Sequence, residues 1–162
     1  EACEPGECLS RLNDVALKRL DMEKFVTLGL AMIDTDRGEI RYASAGHPPA
    51  ALCIRGHAMP LEGLQSIPLG VISGHRFGSV TKKLSAETVL FMYTDGLTEA
   101  RPPGGEPFGH RKAMDVIARL CELPAQQAAE ALRDAALDYS QGNLKDDIAM
   151  MVIKIAGPSW EE

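Results

Sequence analysis

The sequence predicts an α+β fold, antiparallel sheets covered by helices. Three observations lead there. Short apolar runs of strand length are separated by turn signals through the first half of the chain. Two helical patterns are inserted between the last two strand-like runs, Thr88–Leu97 and Ile148–Ile155. The chain has 162 residues, 45% of them hydrophobic, enough for one sizeable core.

Taken in order, Glu4-Pro5 through Leu20 reads as a helix, with Leu9, Leu12, Ala16 and Leu20 at three- and four-residue spacing. Pro5 suits the first turn, Glu4 and Glu7 the positive end, and Lys18 and Arg19 the negative end. Phe25–Ile33 is a strand apolar at both alternating sets, which predicts cover on both faces, as in a layered sandwich. Asp34-Thr35-Asp36-Arg37-Gly38 is a turn, and Glu39–Ala45 returns as its hairpin partner. Gly46-His47-Pro48-Pro49 breaks the ladder, because two prolines remove two donors. Ala50–Arg55 is a short strand closed by Gly56, and a loop is expected through Pro60, Gly63 and Pro68-Leu69-Gly70. Phe77–Leu84 has the look of an edge strand blunted by Lys82 and Lys83. Arg101–Pro107 is barred from regular structure by its prolines and glycines. Ala113, Val116, Ile117, Leu120 and Cys121 mark one helix face. Ala128, Ala129, Leu132, Ala135, Ala136 and Tyr139 mark another, opened by Pro124 and ended by Gly142-Asn143.

Bulk properties exclude several functions. Net charge is −6, with no basic cluster, which argues against nucleic acid as a partner. No apolar run reaches membrane-span length, so no membrane contact is expected of this domain, and the acidic first residues carry no signal-peptide pattern. Cys3, Cys8, Cys53 and Cys121 lack the paired spacing of a zinc site and are expected to be free thiols in a reducing cytoplasm.

The chemistry concentrates at two places. Thr88-Val89-Leu90-Phe91-Met92-Tyr93-Thr94 is a buried strand running into Asp95-Gly96. A carboxylate at the mouth of such a strand needs a partner, which an Asx-turn or a metal cation would supply. Lys145-Asp146-Asp147 opens the apolar run beginning at Ile148. If the two strands pair antiparallel, ~4.8 Å apart, carboxylates distant in sequence meet at one sheet edge. Unneutralised, they repel by about 3 kcal/mol. A divalent cation removes that cost, and oxygen-only ligands favour Mg²⁺ or Mn²⁺ over Zn²⁺.

Several motifs then occur in a fixed order: Phe25-Val26-Thr27-Leu28, Tyr42-Ala43-Ser44-Ala45-Gly46-His47-Pro48-Pro49 and Pro68-Leu69-Gly70. They are followed by Tyr93-Thr94-Asp95-Gly96-Leu97-Thr98-Glu99-Ala100-Arg101, Phe108-Gly109 and Asp146-Asp147-Ile148-Ala149. The set resembles the sporulation stage II protein E-type, RsbU-like branch of the metal-dependent, 2C-type serine/threonine phosphatases, over nearly all of residues 5–156. The resemblance implies a four-layer αββα sandwich with a metal site at one end. There, two Mn²⁺ or Mg²⁺ ions activate a water that attacks phosphoserine or phosphothreonine directly. It implies Asp95 and Asp146 as catalytic metal ligands, with Gly96 beside the first and Asp147 as a neighbouring or alternate ligand. It also implies a phosphorylated anti-anti-sigma (STAS-type) protein as substrate, hence control of transcription by partner switching in a bacterial cytoplasm.

The two acidic segments of the family's first half, Gly-Gly-Asp and Gly-Asp-x-x-Gly-[His/Lys]-Gly, do not occur in the sequence. Residues 1–162 are therefore expected to be the C-terminal two-thirds of such a domain, with its first strands missing. One weakly held ion or none is expected, with little phosphatase activity of the chain alone and self-association through exposed strand edges. Arg101 is a candidate for the substrate phosphate or for a surface ion pair, and His47 a candidate for substrate or for shaping its loop. The competing function is a non-catalytic docking module of the same fold in sigma-factor regulation. A receiver-domain phosphoacceptor role for Asp95 conflicts with the hairpin-like strands.

Overall fold

The computed structural model describes residues 3–21, 23–61 and 66–155; Gly63, expected in a loop, lies outside them. In chain order the elements are α1 (Pro5–Arg19), β1 (Leu28–Asp34), β2 (Glu39–Ala45), β3 (Ala51–Ile54), β4 (His57–Pro60), β5 (Val80–Lys83), β6 (Thr88–Tyr93), α2 (Asp95–Glu99), α3 (Gly109–Leu120), α4 (Ala125–Tyr139) and β7 (Met150–Lys154). Every strand pairing is antiparallel, so the α+β class expected from the sequence is what the chain adopts. Two compact units result. One holds described residues within 1–49 and 61–84, the other those within 50–60 and 85–159.

The first unit carries a sheet in the order β1-β2-β5 with α1. Leu9 of α1 is fully buried in a cluster with Ala43, Ala45, Leu69 and Phe77. Polar side chains finish the attachment. Ser10 Oγ donates to the Gly6 carbonyl (2.8 Å) and accepts from Phe77 N (3.0 Å). Asn13, also fully buried, donates through Nδ2 to the Ile72 carbonyl and accepts at Oδ1 from Gly70 N, both at 2.9 Å. A Cβ at Gly6 would collide with the Phe77 carbonyl, so only glycine lets the helix sit this close.

The second unit carries a sheet in the order β4-β3-β6-β7 with α2, α3 and α4. Its core joins Phe91, Tyr93 and Leu97 to Ala113 and Ile117 of α3 and to Ala128, Leu132 and Ala136 of α4. In α3 and α4 the faces marked by three- and four-residue spacing are the ones that bury, whereas in α1 Leu12 of the marked face is exposed.

Several expectations need correction. β1 is half-exposed along its whole length rather than covered on both faces; among the described residues it is an edge strand with β2 as its one sheet neighbour. Its Leu28 and Leu30 lean on the Leu9 cluster, while Phe25 and Val26 precede the strand and stay exposed. The segment after Gly56 is strand β4, not loop. Arg55 and Gly56 both have positive φ (49° and 78°), which closes a two-residue hairpin whose twist matches its strands. Weak alternation and Pro60 hid it, and an edge strand tolerates that proline. Asp95-Gly96 opens the short helix α2 rather than ending in a turn, and β7 begins at Met150, past the acidic pair. Cys53 and Cys121 are not free. They form a disulfide with Cα atoms 6.1 Å apart, within the usual span of such a bond. Cys3 and Cys8 are free thiols, and a hydrogen bond with Cys8, then burial, push the Cys3 thiol up to about 11.

Candidate metal centre

The acidic site grows out of the β6–β7 ladder. Tyr93 pairs with Met150, so the strand that ends before Asp95 runs beside the strand that follows Asp147. One residue further, Thr94 N donates to the Ala149 carbonyl (2.9 Å). Thr94 Oγ1 accepts from Ala149 N (3.0 Å) and donates to the Asp147 carbonyl (3.1 Å). That hydroxyl donates to and accepts from backbone, which ties the end of β6 to the segment before β7.

Gly96 completes the juxtaposition. A Cβ there would collide with the Asp147 carbonyl and lie 3.3 Å from the Asp146 carbonyl. The first turn of α2 is thus laid directly against the 146–147 backbone, and any side chain at position 96 would push it away. Thr98 Oγ1 donates to the Asp95 carbonyl (3.1 Å) and steadies the turn. Asp95, Asp146 and Asp147 are all exposed. Asp146 Oδ1 accepts from Asp147 N (2.8 Å), whereas the Asp95 and Asp147 carboxylates take no hydrogen bond from the described residues. Exposed carboxylates with open lone pairs suit a hard divalent cation that keeps much of its water. Among the described residues no group of three His, Cys, Asp or Glu side chains meets the geometry of a metal cage. Oxygen donors of this kind match the chemistry of a hard divalent cation.

Arg101 follows α2 and is anchored to the loop before the acidic pair, its carbonyl accepting from Asn143 Nδ2 (3.3 Å). Its Nε is buried without a hydrogen-bond partner, and the guanidinium has no ion pair among the described residues. Among the described residues Arg101 makes no surface ion pair. His47 belongs to the first unit, where Nδ1 lies 3.0 Å from the Pro48 carbonyl and Ser44 Oγ donates to the His47 carbonyl (2.8 Å). Sequence reasoning did not foresee Asn143 or the double role of Thr94. The Asp-Gly dipeptide was the one local hint that backbone had to pass close by.

Comparison with known proteins bears on the family and the fold. The family model described as Stage II sporulation protein E (SpoIIE) matches residues 1–156. The chain is similar to phosphoserine phosphatase RsbU of Bacillus subtilis, 25% identical over 93% of this chain and 45% of that protein. It is equally similar to Protein IcfG of Synechocystis, 25% identical over 86% of this chain and 22% of that one. The chain thus spans less than half the length of these curated relatives. In structure it resembles the RsbU and RsbW domains of a Mycobacterium tuberculosis protein, with a TM-score of 0.81, 25% identity, and coverage of 98% of this chain and 44% of that one. The SiaA-PP2C domain of Pseudomonas aeruginosa shares the fold, with a TM-score of 0.80, 20% identity, and coverage of 94% and 60%.

Proposed function

Because the chain belongs to the SpoIIE family of PP2C-like serine/threonine phosphatases, we propose that it supplies the Asp95–Asp146 half of a centre that hydrolyses a phosphoserine or phosphothreonine ester. The observation that supports this is the packing of Gly96 on the Asp146–Asp147 backbone, which holds two acidic segments together while the Asp95 and Asp147 carboxylates take no hydrogen bond from the described residues. Asp95 and Asp146 would hold Mn²⁺ or Mg²⁺, with Asp147 as an alternate ligand. A bound divalent ion there supplies a lowered water pKa and neutralises charge on the phosphate. Asp95 and Asp146 would orient that ion. Arg101, whose guanidinium has no ion pair among the described residues, is the candidate for phosphate oxygens. His47 keeps its place as a second candidate for substrate contact, through the shape of its loop.

We further infer a phosphorylated regulator of the anti-anti-sigma, STAS-type class as substrate, acted on in a cytoplasmic partner switch. No helix among the described residues is long and apolar enough to cross a membrane. The docking-module alternative draws support from the lack of a three-ligand cluster among the described residues.

The test is a Mn²⁺ titration by calorimetry joined to turnover of a phosphoserine peptide, for the chain and for Asp95→Asn. We expect a weak heat that Asp95→Asn removes, and turnover at least ~10²-fold below that of a protein carrying the whole domain. Equal heats in both proteins would overturn the metal assignment. Rapid, Asp95-dependent turnover by the chain alone would overturn the half-centre reading. Absence of Asp95-dependent turnover in the longer protein would favour the docking module.

A further inference from the structure

We propose that Cys53 and Cys121 form a reversible redox site, entered at Cys121, that opens and closes a covalent attachment of α3 to the sheet. This does not depend on the phosphatase reading. Cys53 lies on β3, between Ala58 of β4 and Val89 of β6, and is fully buried. Cys121 caps α3 and is 5% exposed. It lines a cleft of about 570 Å³ with Arg55, Glu87, Glu122 and Lys154. Cys121 lines that cleft whereas Cys53 is fully buried, so an incoming thiolate would meet Cys121 first. Two cations and two carboxylates make the rim neutral, so it does not repel an anionic thiol.

What remains after the bond opens makes the site reversible. Val89 faces Cys53 on one side and Lys154 on the other, so Cys53, Val89 and Lys154 form one row on one face of the sheet. Lys154 Nζ donates to the carbonyls of Cys121 (2.9 Å), Glu122 (3.2 Å) and Leu123 (2.9 Å). The ammonium holds the same helix end that the sulfur holds, where a cation also complements the helix dipole. Ala113 and Ile117 keep α3 in the apolar core. With the covalent link broken, the two thiols stay neighbours and can close again.

The chemistry is thiol–disulfide exchange. A thiolate of a small thiol attacks Cys121 Sγ, the Cys53–Cys121 bond breaks, and Cys53 leaves as a thiolate that takes a proton from water. A second thiolate then attacks the sulfur of the small thiol in the mixed disulfide. Cys121 is released, and the reductant leaves as its own disulfide, two electrons having entered the protein. Oxidised glutathione runs the same steps backwards. The closed bond spans 68 residues, including β6 and α2. It therefore restricts the unfolded chain of the part that carries Asp95.

The experiment is a thiol count on protein isolated without reductant and unfolded in guanidinium. Two thiols, Cys3 and Cys8, should react. Four should react if the native protein first meets excess dithiothreitol. The oxidised form should melt ~10 °C above the reduced form, and a Cys53→Ala/Cys121→Ala protein should show no such shift. Four thiols both before and after exposure to oxidised glutathione would overturn the site. So would two thiols that persist in native protein under excess dithiothreitol, since the bond would then be static. Entry at Cys121 is read by mass spectrometry: native Cys53→Ser should take up glutathione at Cys121, and native Cys121→Ser should take up none at Cys53. The reverse result would overturn it.

Discussion

The two units solve the same problem, a helix on an antiparallel sheet, with different materials. In the second, β6 is buried at five of its six residues, and α3 and α4 press alanines, Ile117 and Leu132 into one apolar cluster. In the first, β1 has no buried residue, and α1 is located by hydrogen bonds from Ser10 and Asn13 to the segment 70–77. Apolar burial is large but indifferent to direction. Buried hydrogen bonds add little net energy yet fix one geometry, because any other leaves donors unsatisfied. The first unit accordingly leaves large apolar side chains in solvent: Leu12 and Val15 on α1, Phe25 and Val26 before β1, Val71 and Ile72 in the loop. The carboxylates sit in the unit built around β6, α3 and α4.

The largest effect that could break this contrast is a core truncation. Leu132→Ala should destabilise by about 2–5 kcal/mol, whereas Leu30→Ala on half-exposed β1 should cost under ~1.5 kcal/mol. Urea unfolding of the two variants checks it, and equal losses would erase the distinction. Next, Asn13→Ala leaves Gly70 N and the Ile72 carbonyl without their partner. A loss of about 1–3 kcal/mol is expected, with hydrogen exchange rising at residues 70–77 while β6 stays protected. A loss below about 0.5 kcal/mol would mean that apolar contacts fix α1 after all. The smallest effect concerns the exposed apolar surface. Sedimentation velocity should show weak self-association, and Val15→Lys with Val71→Lys should shift the chain toward monomer without lowering its melting temperature. A concentration-independent monomer before mutation would remove that consequence.

Much of this was legible in the residues. Helical spacing located Ala113, Ile117, Leu132 and Ala136, and lysines at 82 and 83 marked β5 as an edge. At the site, the order of Asp95-Gly96 and Asp146-Asp147 around two apolar strands was enough to bring the segments together. Three things were hidden, each for a physical reason. β4 has almost no alternation, because its half-exposed residues have little to bury. Ser10 and Asn13 look like solvent-facing helix polars, since their partners lie across the chain. Cys53 and Cys121 show no spacing signal because their closeness depends on where α3 ends over the sheet.

The row formed by Cys53, Val89 and Lys154 has one more effect, on register. Side chains alternate faces along a strand, so sliding β7 by a single position would turn Lys154 away from the helix end and bring its apolar neighbours there instead. Three carbonyls would lose their ammonium at once. The lysine therefore works as an alignment pin at one end of the ladder, and what it aligns at the other is the backbone of residue 147 against the glycine that follows Asp95.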